Sequence, residues 1–257
     1  MNNDLTGFFI FIGMGYFIYF FTRAFTFTHE EHQSSDVRKS ALTALMALSI
    51  GWILISGLFF LLFMQGVSAS KNQEFGPWNV IRQAMIGCLF LTPVVVMMKR
   101  RQEALSSAGI TKQNFGKSVL LGIILSVFMF LFGILMKRLD IGDGLHSIPV
   151  SDFWGLMTFL VVGITEEFGF RGYLQTRLMS WLGEIWGWAT ASVLMAVAHI
   201  VQRSVVMGMS GVDAIGSSLS LLPISLLYGF LLLRTKSIAA GTIFHAFTDW
   251  FSVVYFA

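Results

Sequence analysis

"ITEEFGFRGYLQ", residues 164–175, places two adjacent glutamates and an arginine at the end of the apolar run "FWGLMTFLVVG", residues 153–163. A bilayer makes each such charge costly, about 2.5–3.5 kcal/mol per residue on insertion scales. Charges at that depth persist when paired, and they face a protein interior or a polar cavity rather than lipid. Glu167 and Arg171 are four residues apart with the glutamate first, the favourable order for a helical ion pair. Glu166 is turned by about 100° from its neighbour on a helix and has no partner within its own segment. It is therefore the residue to explain.

The rest of the chain supports a membrane setting. Of 257 residues 55% are hydrophobic and 12% charged, about half the charged share of an average soluble domain, and the mean hydropathy is +0.73. The 26 Phe and 7 Trp suit lipid-facing and interfacial surfaces. A single cysteine, Cys88, excludes an intrachain disulfide and a cysteine-based metal cluster; it reads as a small buried helix residue. The net charge of +3 is spread in ones to threes between apolar runs, which is loop charge at a membrane surface. Membrane lipids are the expected surroundings, and nucleic acid is not an expected partner. The N-terminal "MNNDLTGFFIFIGMGYFIYFF" lacks a basic leader and a small-residue cleavage site, so it reads as a retained first span.

Uncharged stretches near the ~20 residues needed to cross the hydrocarbon core recur at 5–22, 41–65, 79–98, 118–136, 153–175, 185–202, 217–233 and 237–256. The expected architecture is all-α, a polytopic membrane protein of about eight transmembrane helices in one domain, 1–257. Eleven of the 17 Lys and Arg fall in the odd-numbered connections and four in the even ones, which places the odd connections in the cytoplasm and both termini outside. "VQRSVVMGMSGVDAIGSS", residues 201–218, reads as an ordinary Gly/Ser-rich loop, with a gate for substrate entry as the alternative, and "GEIWG", residues 183–187, as a site of close helix packing.

Two further spans carry matching polar residues. The sixth, "TASVLMAVAHI", ends on His199; the eighth, "AAGTIFHAFTDWFSVVYFA", holds His245 and Asp249 four apart on one face. Asp249 is placed to orient the His245 ring. Helices five, six and eight thus share an intramembrane polar cluster, whose default reading is functional. His199, His245 and a carboxylate from Glu166 or Asp249 would suffice for a His₂-carboxylate zinc site, although no H-E-x-x-H helix preforms one. "HEEH", residues 29–32, has the wrong spacing and reads as a solvated loop. No G-x-S-x-G elbow is present, and Cys88 has no neighbouring histidine.

"EEFGFRGYLQ" (166–175), "MAVAH" (195–199) and "HAFTD" (245–249) together resemble the three motifs of the CAAX protease and bacteriocin-processing family (CPBP, or Abi), intramembrane endopeptidases that include the CAAX prenyl endopeptidases. The pattern is EExxxR, then FxxxH, then HxxxN or HxxxD; Met195 stands where phenylalanine is usual. The resemblance covers about residues 118–257. It implies hydrolysis of a peptide bond by activated water, with Glu166 as general base and His199 holding the same water. His245 and Asp249 would face the developing oxyanion, and Glu167 with Arg171 would support Glu166. The family is described both as metalloproteases and as acting by a metal-free glutamate mechanism, so the implied cofactor is a divalent metal such as zinc, or none. A prenylated C-terminal peptide, a leader-bearing peptide or protein and a membrane-protein tail all fit a polar site within apolar walls, and the compact length points toward a prokaryotic plasma membrane. A non-catalytic scaffold of the same fold and a proton-coupled transporter are the competing readings; no inverted repeat favours transport.

Overall fold

The structure, a computed structural model, describes residues 3–25, 27, 36–64, 75–141, 150–205 and 207–256. The HEEH tetrapeptide at 29–32 lies outside them. Among the described residues the secondary structure is helical throughout: α1 (Asn3–Ala24), α2 (Val37–Met64), α3 (Pro77–Arg100), a 3₁₀ turn (Leu105–Ala108), α4 (Phe115–Ile141), α5 (Val150–Glu166), a π-helical segment (Glu167–Gln175), α6 (Thr176–Leu182), α7 (Glu184–Val205), α8 (Gly211–Leu219), α9 (Leu222–Thr235) and α10 (Ala239–Phe256). A chain in hydrocarbon must satisfy its own backbone polar groups, which leaves helices as the solution for sequences this apolar.

Among the described residues six rods are long and apolar enough to cross a membrane: Val37–Leu61, Pro77–Arg100, Phe115–Leu135, Asp152–Leu182, Glu184–Val205 and Gly211–Thr235; the apolar helix Ile10–Ala24 is shorter. Their outward faces are apolar, as at Ile53, Met85, Leu131, Ile185 and Trp186, each at least 60% exposed. A soluble monomer does not present apolar side chains around its whole girth. This is an integral multi-pass membrane protein.

Three features differ from the sequence expectation. The fifth span continues past Gln175 to Leu182, because Gln175 and Arg177 are fully buried and tied to neighbouring elements. The segment 201–218 is not a plain loop: α7 runs to Val205 and α8 begins at Gly211. Ser210 caps α8, its hydroxyl accepting from the Asp213 N–H at 3.3 Å and donating to the Asp213 carboxylate at 2.6 Å. Cys88 lies on α3 as expected but is exposed; its neighbour Gly87 is the residue that faces α5.

Small residues set the packing. On α2, Ala41, Ala44 and Ala47 are fully buried, and a Cβ at Gly51 would collide with the Phe90 carbonyl of α3. A Cβ at Gly87 of α3 would strike the Thr165 hydroxyl of α5, and one at Gly163 of α5 would lie 2.7 Å from the Thr242 carbonyl of α10. Helices without a hydrophobic drive toward each other in lipid associate through such close approaches. Gly183, at φ +83°, turns the chain between α6 and α7. Gly187 of the "GEIWG" stretch lets α7 press onto the Met179 backbone, as its spacing suggests.

Two buried apolar clusters result. One joins α2, α3, the π segment and α7 through Phe90, Phe168, Phe170 and Met195. The other joins α1, α4, α9 and α10 through Ile18, Leu121, Tyr228 and Phe244. At one end of the bundle the connection between α3 and α4 is bolted to the rest. Arg177, fully buried, donates to the Glu103 carboxylate and to the Ser107 hydroxyl, each at 2.8 Å, and to the Ser107 carbonyl at 2.8 Å. Its guanidinium also lies 4.2 Å from the Tyr173 ring centre.

Candidate active site

The winding of the fifth rod positions the two glutamates. From Glu167 to Gln175 it is π-helical, and every residue of that segment is buried. The i→i+5 winding is wider than an α-turn, rare, and found mostly as local bulges at functional sites. Glu166, the last α-helical residue, faces α7 and α10; Glu167, the first π-helical one, is turned onto α10.

The structure brings all six sequence-selected residues together. A single oxygen of Glu166, Oε2, lies 3.8 Å from His199 Nε2 and 3.9 Å from His245 Nε2. These gaps are too long for direct hydrogen bonds. His199 Nδ1 is 2.8 Å from the Met195 carbonyl; a carbonyl only accepts, so Nδ1 carries the proton and Nε2 of the neutral ring is an acceptor. Glu167 Oε1 is 3.1 Å from His245 Nδ1, and Asp249 Oδ2 is 3.4 Å from His245 Nε2. The Tyr228 ring stacks on His245 with centroids 4.6 Å apart and planes 15° from parallel. Tyr228 is itself held by its hydroxyl, 2.5 Å from that of Thr248.

The ring-orienting partner of His245 is therefore chiefly Glu167 rather than Asp249. Asp249 sits on the Nε2 side, its side chain 40% exposed, whereas Glu167 is 1% exposed and grips Nδ1. Helical spacing within α10 made Asp249 visible in the sequence. The contact between Glu167 and His245, separated by 78 residues, had no local signal.

Glu167 also faces Arg171, whose Nε lies 3.8 Å from Oε2, an ion pair with both side chains buried. The guanidinium finds hydrogen bonds elsewhere: Nη2 is 2.9 Å from the Ser225 hydroxyl and 2.7 Å from the Met195 sulfur. Ser225 in turn donates to the Ser192 carbonyl at 2.9 Å. Met195, the departure from the usual phenylalanine, thus supplies a sulfur acceptor where a phenylalanine ring would offer only its π face.

Gly241 allows Glu167 its place. A Cβ there would lie 2.6 Å from Glu167 Oε2, so Gly241→Ala is expected to displace that carboxylate and cost about 1–3 kcal/mol of stability, the usual overpacking range. Thermal melts in detergent check the stability; an unchanged melting temperature would place Glu167 elsewhere.

Glu166 borders a cavity of about 80 Å³ between α2, α3, α5 and α7, with Trp52, Gln83, Thr165 and Gln202 in its wall. Trp52, whose ring stands edge-on to His199 at 6.1 Å, separates it from a groove of about 610 Å³ between α2 and α7. That groove is almost wholly apolar, walled by Leu48, Ile53, Phe60, Leu194 and Val197. Trp52, Ser56, Val201 and Val205 line both spaces.

Among the described residues no three His, Cys, Asp or Glu side chains form a group that could hold a metal ion. Both ring nitrogens of His245 face carboxylates, and His199 Nδ1 is committed to a backbone carbonyl.

The fold and the site define an all-α multi-pass membrane protein with a buried carboxylate–histidine cluster beside a lipid-facing groove. Residues 149–251 match the family model described as Rce1-like, type II CAAX prenyl endopeptidase Rce1-like. Over that segment the chain is similar to the CAAX prenyl endopeptidases, which are intramembrane proteases. No curated protein and no solved structure matches it.

Proposed function

We propose that the chain cleaves a peptide bond of a lipidated, membrane-bound peptide or protein, using a water activated by Glu166. The observation that carries this reading is the position of Glu166 Oε2 between two imidazole Nε2 atoms at 3.8 and 3.9 Å, a separation that one bridging water fills. A water there donates one proton to Glu166 and one to His199 Nε2, and turns a lone pair toward the scissile carbonyl. Glu166 takes its proton as the C–O bond forms. The oxyanion develops on the side of His245 and Asp249. With ionised Glu167 accepting from Nδ1–H, the imidazolium of His245 donates from Nε2, and the Glu166 and Asp249 carboxylates facing Nε2 balance its charge. A preset donor of this kind contributes several kcal/mol to the barrier. Collapse breaks the C–N bond, and the proton on Glu166 passes to the leaving amine. Glu167 and Arg171 position the ring and touch no reacting atom.

The groove between α2 and α7 suits an isoprenoid or acyl chain, with the peptide reaching past Trp52 to Glu166. A prenylated C-terminal peptide in a prokaryotic plasma membrane fits both requirements, apolar walls and a polar end. Among the described residues no group of side chains is placed to hold a metal ion, so treatment with 1,10-phenanthroline is expected to leave the cleavage rate unchanged. Activity lost on chelation and restored by zinc would reinstate a metal centre at Glu166, His199, His245 and Asp249.

The test that assumes no substrate is quantitative mapping of new protein termini in membranes expressing the wild type or Glu166→Gln. Termini that vanish in the variant establish proteolysis and identify the substrate. Identical profiles from equally folded and abundant proteins would favour the non-catalytic scaffold.

A further inference from the structure

We propose that a second groove, remote from the glutamates, is a binding site for an anionic phospholipid. It lies between α1 and α9, holds about 700 Å³, and is walled by Tyr16, Tyr19, Trp188, Leu226 and Phe230 among others. Its lining is almost entirely apolar until it reaches Tyr19. There the character changes: two guanidinium groups approach the Tyr19 ring, Arg23 Cζ at 5.6 Å and Arg234 Cζ at 5.1 Å from its centre. Arg23 also donates to the Tyr19 hydroxyl at 3.2 Å, and Arg234 to the Thr22 hydroxyl at 3.0 Å. Among the described residues neither arginine is in an ion pair. Two cations with no ion-pair partner among the described residues, close to one ring at the end of an apolar trough, complement a molecule with an anionic head and an apolar tail.

The location agrees. Arg23 and Arg234 lie in the first and seventh connections, the side that the Lys and Arg distribution assigns to the cytoplasm. That leaflet is the anionic one, and basic pockets between helices on its side hold anionic headgroups. Zwitterionic lipids match the trough but not the charge.

Occupancy would reach the polar cluster through α9, which the two sites share. Leu226 and Phe230 of α9 face the groove, whereas Ser225 holds Arg171 and Tyr228 stacks on His245. Trp188, in the groove wall, donates to the Leu226 carbonyl at 2.9 Å. A lipid seated here presses α1 and α9 together and steadies the helix that carries those contacts.

Native mass spectrometry of the full chain with equimolar dioleoylphosphatidylglycerol and dioleoylphosphatidylcholine tests the site. The wild type is expected to retain phosphatidylglycerol over phosphatidylcholine by roughly tenfold. Arg23→Gln/Arg234→Gln should abolish the preference, and Arg23→Lys/Arg234→Lys should keep most of it. Gly15→Trp provides a second route: Gly15 lines the groove, and a Cβ there meets open space, so the indole fills the trough while leaving both arginines in place. It too should lose the retained phosphatidylglycerol. Equal retention of the two lipids, a preference that survives in either the glutamine or the tryptophan variant, or full competition by inorganic phosphate alone would overturn the proposal.

Discussion

Glu166→Gln is expected to lower the cleavage rate by about 10²–10⁴-fold, the usual contribution of a general base, while leaving the melting temperature close to that of the wild type. The two halves of this expectation have separate causes. The rate falls because an amide cannot take the proton from water. Stability is spared because Glu166 accepts no hydrogen bond through Oε2 and its histidine neighbours stand 3.8 and 3.9 Å away. Its side chain is also 16% exposed, and Glu167 and Asp249 remain beside His245 to balance its charge when that of Glu166 goes. Initial rates on a lipidated peptide, with melts of the same preparations, check both. A variant that loses stability in step with activity would show that Glu166 is a structural residue.

Glu167→Gln should behave in the opposite way, and this is the larger effect on folding. Its side chain is 1% exposed and faces Arg171, which is fully buried. Removing the negative partner of a buried ion pair costs about 3–5 kcal/mol, because the remaining charge has no compensation. The neutral amide also weakens the grip on His245 Nδ1, 3.1 Å away, so activity falls together with stability. The measurement is a pair of thermal melts in one detergent, Glu167→Gln beside Glu166→Gln. Equal melting temperatures would sink the division of labour between the two neighbours. Glu167→Gln/Arg171→Met removes both charges, and recovery of stability in it would identify the stranded guanidinium as the cause.

Much of this was legible in the residues. Spacing of four along a helix put Glu167 with Arg171 and His245 with Asp249, and both pairs stand in the structure at 3.8 and 3.4 Å. Apolar runs located the rods because lipid leaves the backbone few alternatives. The remainder rests on long-range contact. Hydropathy does not register the π winding of residues 167–175, since it changes backbone hydrogen bonding and not composition. Ser225 and Tyr228 looked like ordinary residues of the seventh span, yet they hold Arg171 and stack on His245. Cys88 was misplaced because in a membrane protein a small apolar residue is equally at home facing lipid. The helix in residues 211–219 was hidden by glycines and serines that read as loop until the Ser210 cap is seen.

The anchoring of Arg177 fixes the fifth rod against sliding. Its guanidinium is engaged with Glu103 and Ser107, which ties the rod to the connection between α3 and α4. Eleven residues separate Arg177 from Glu166, on the order of 15 Å along a helix. The height of the two glutamates relative to His199 and His245 is thus indexed to a clamp at the far end of their own rod, well away from the cluster they build.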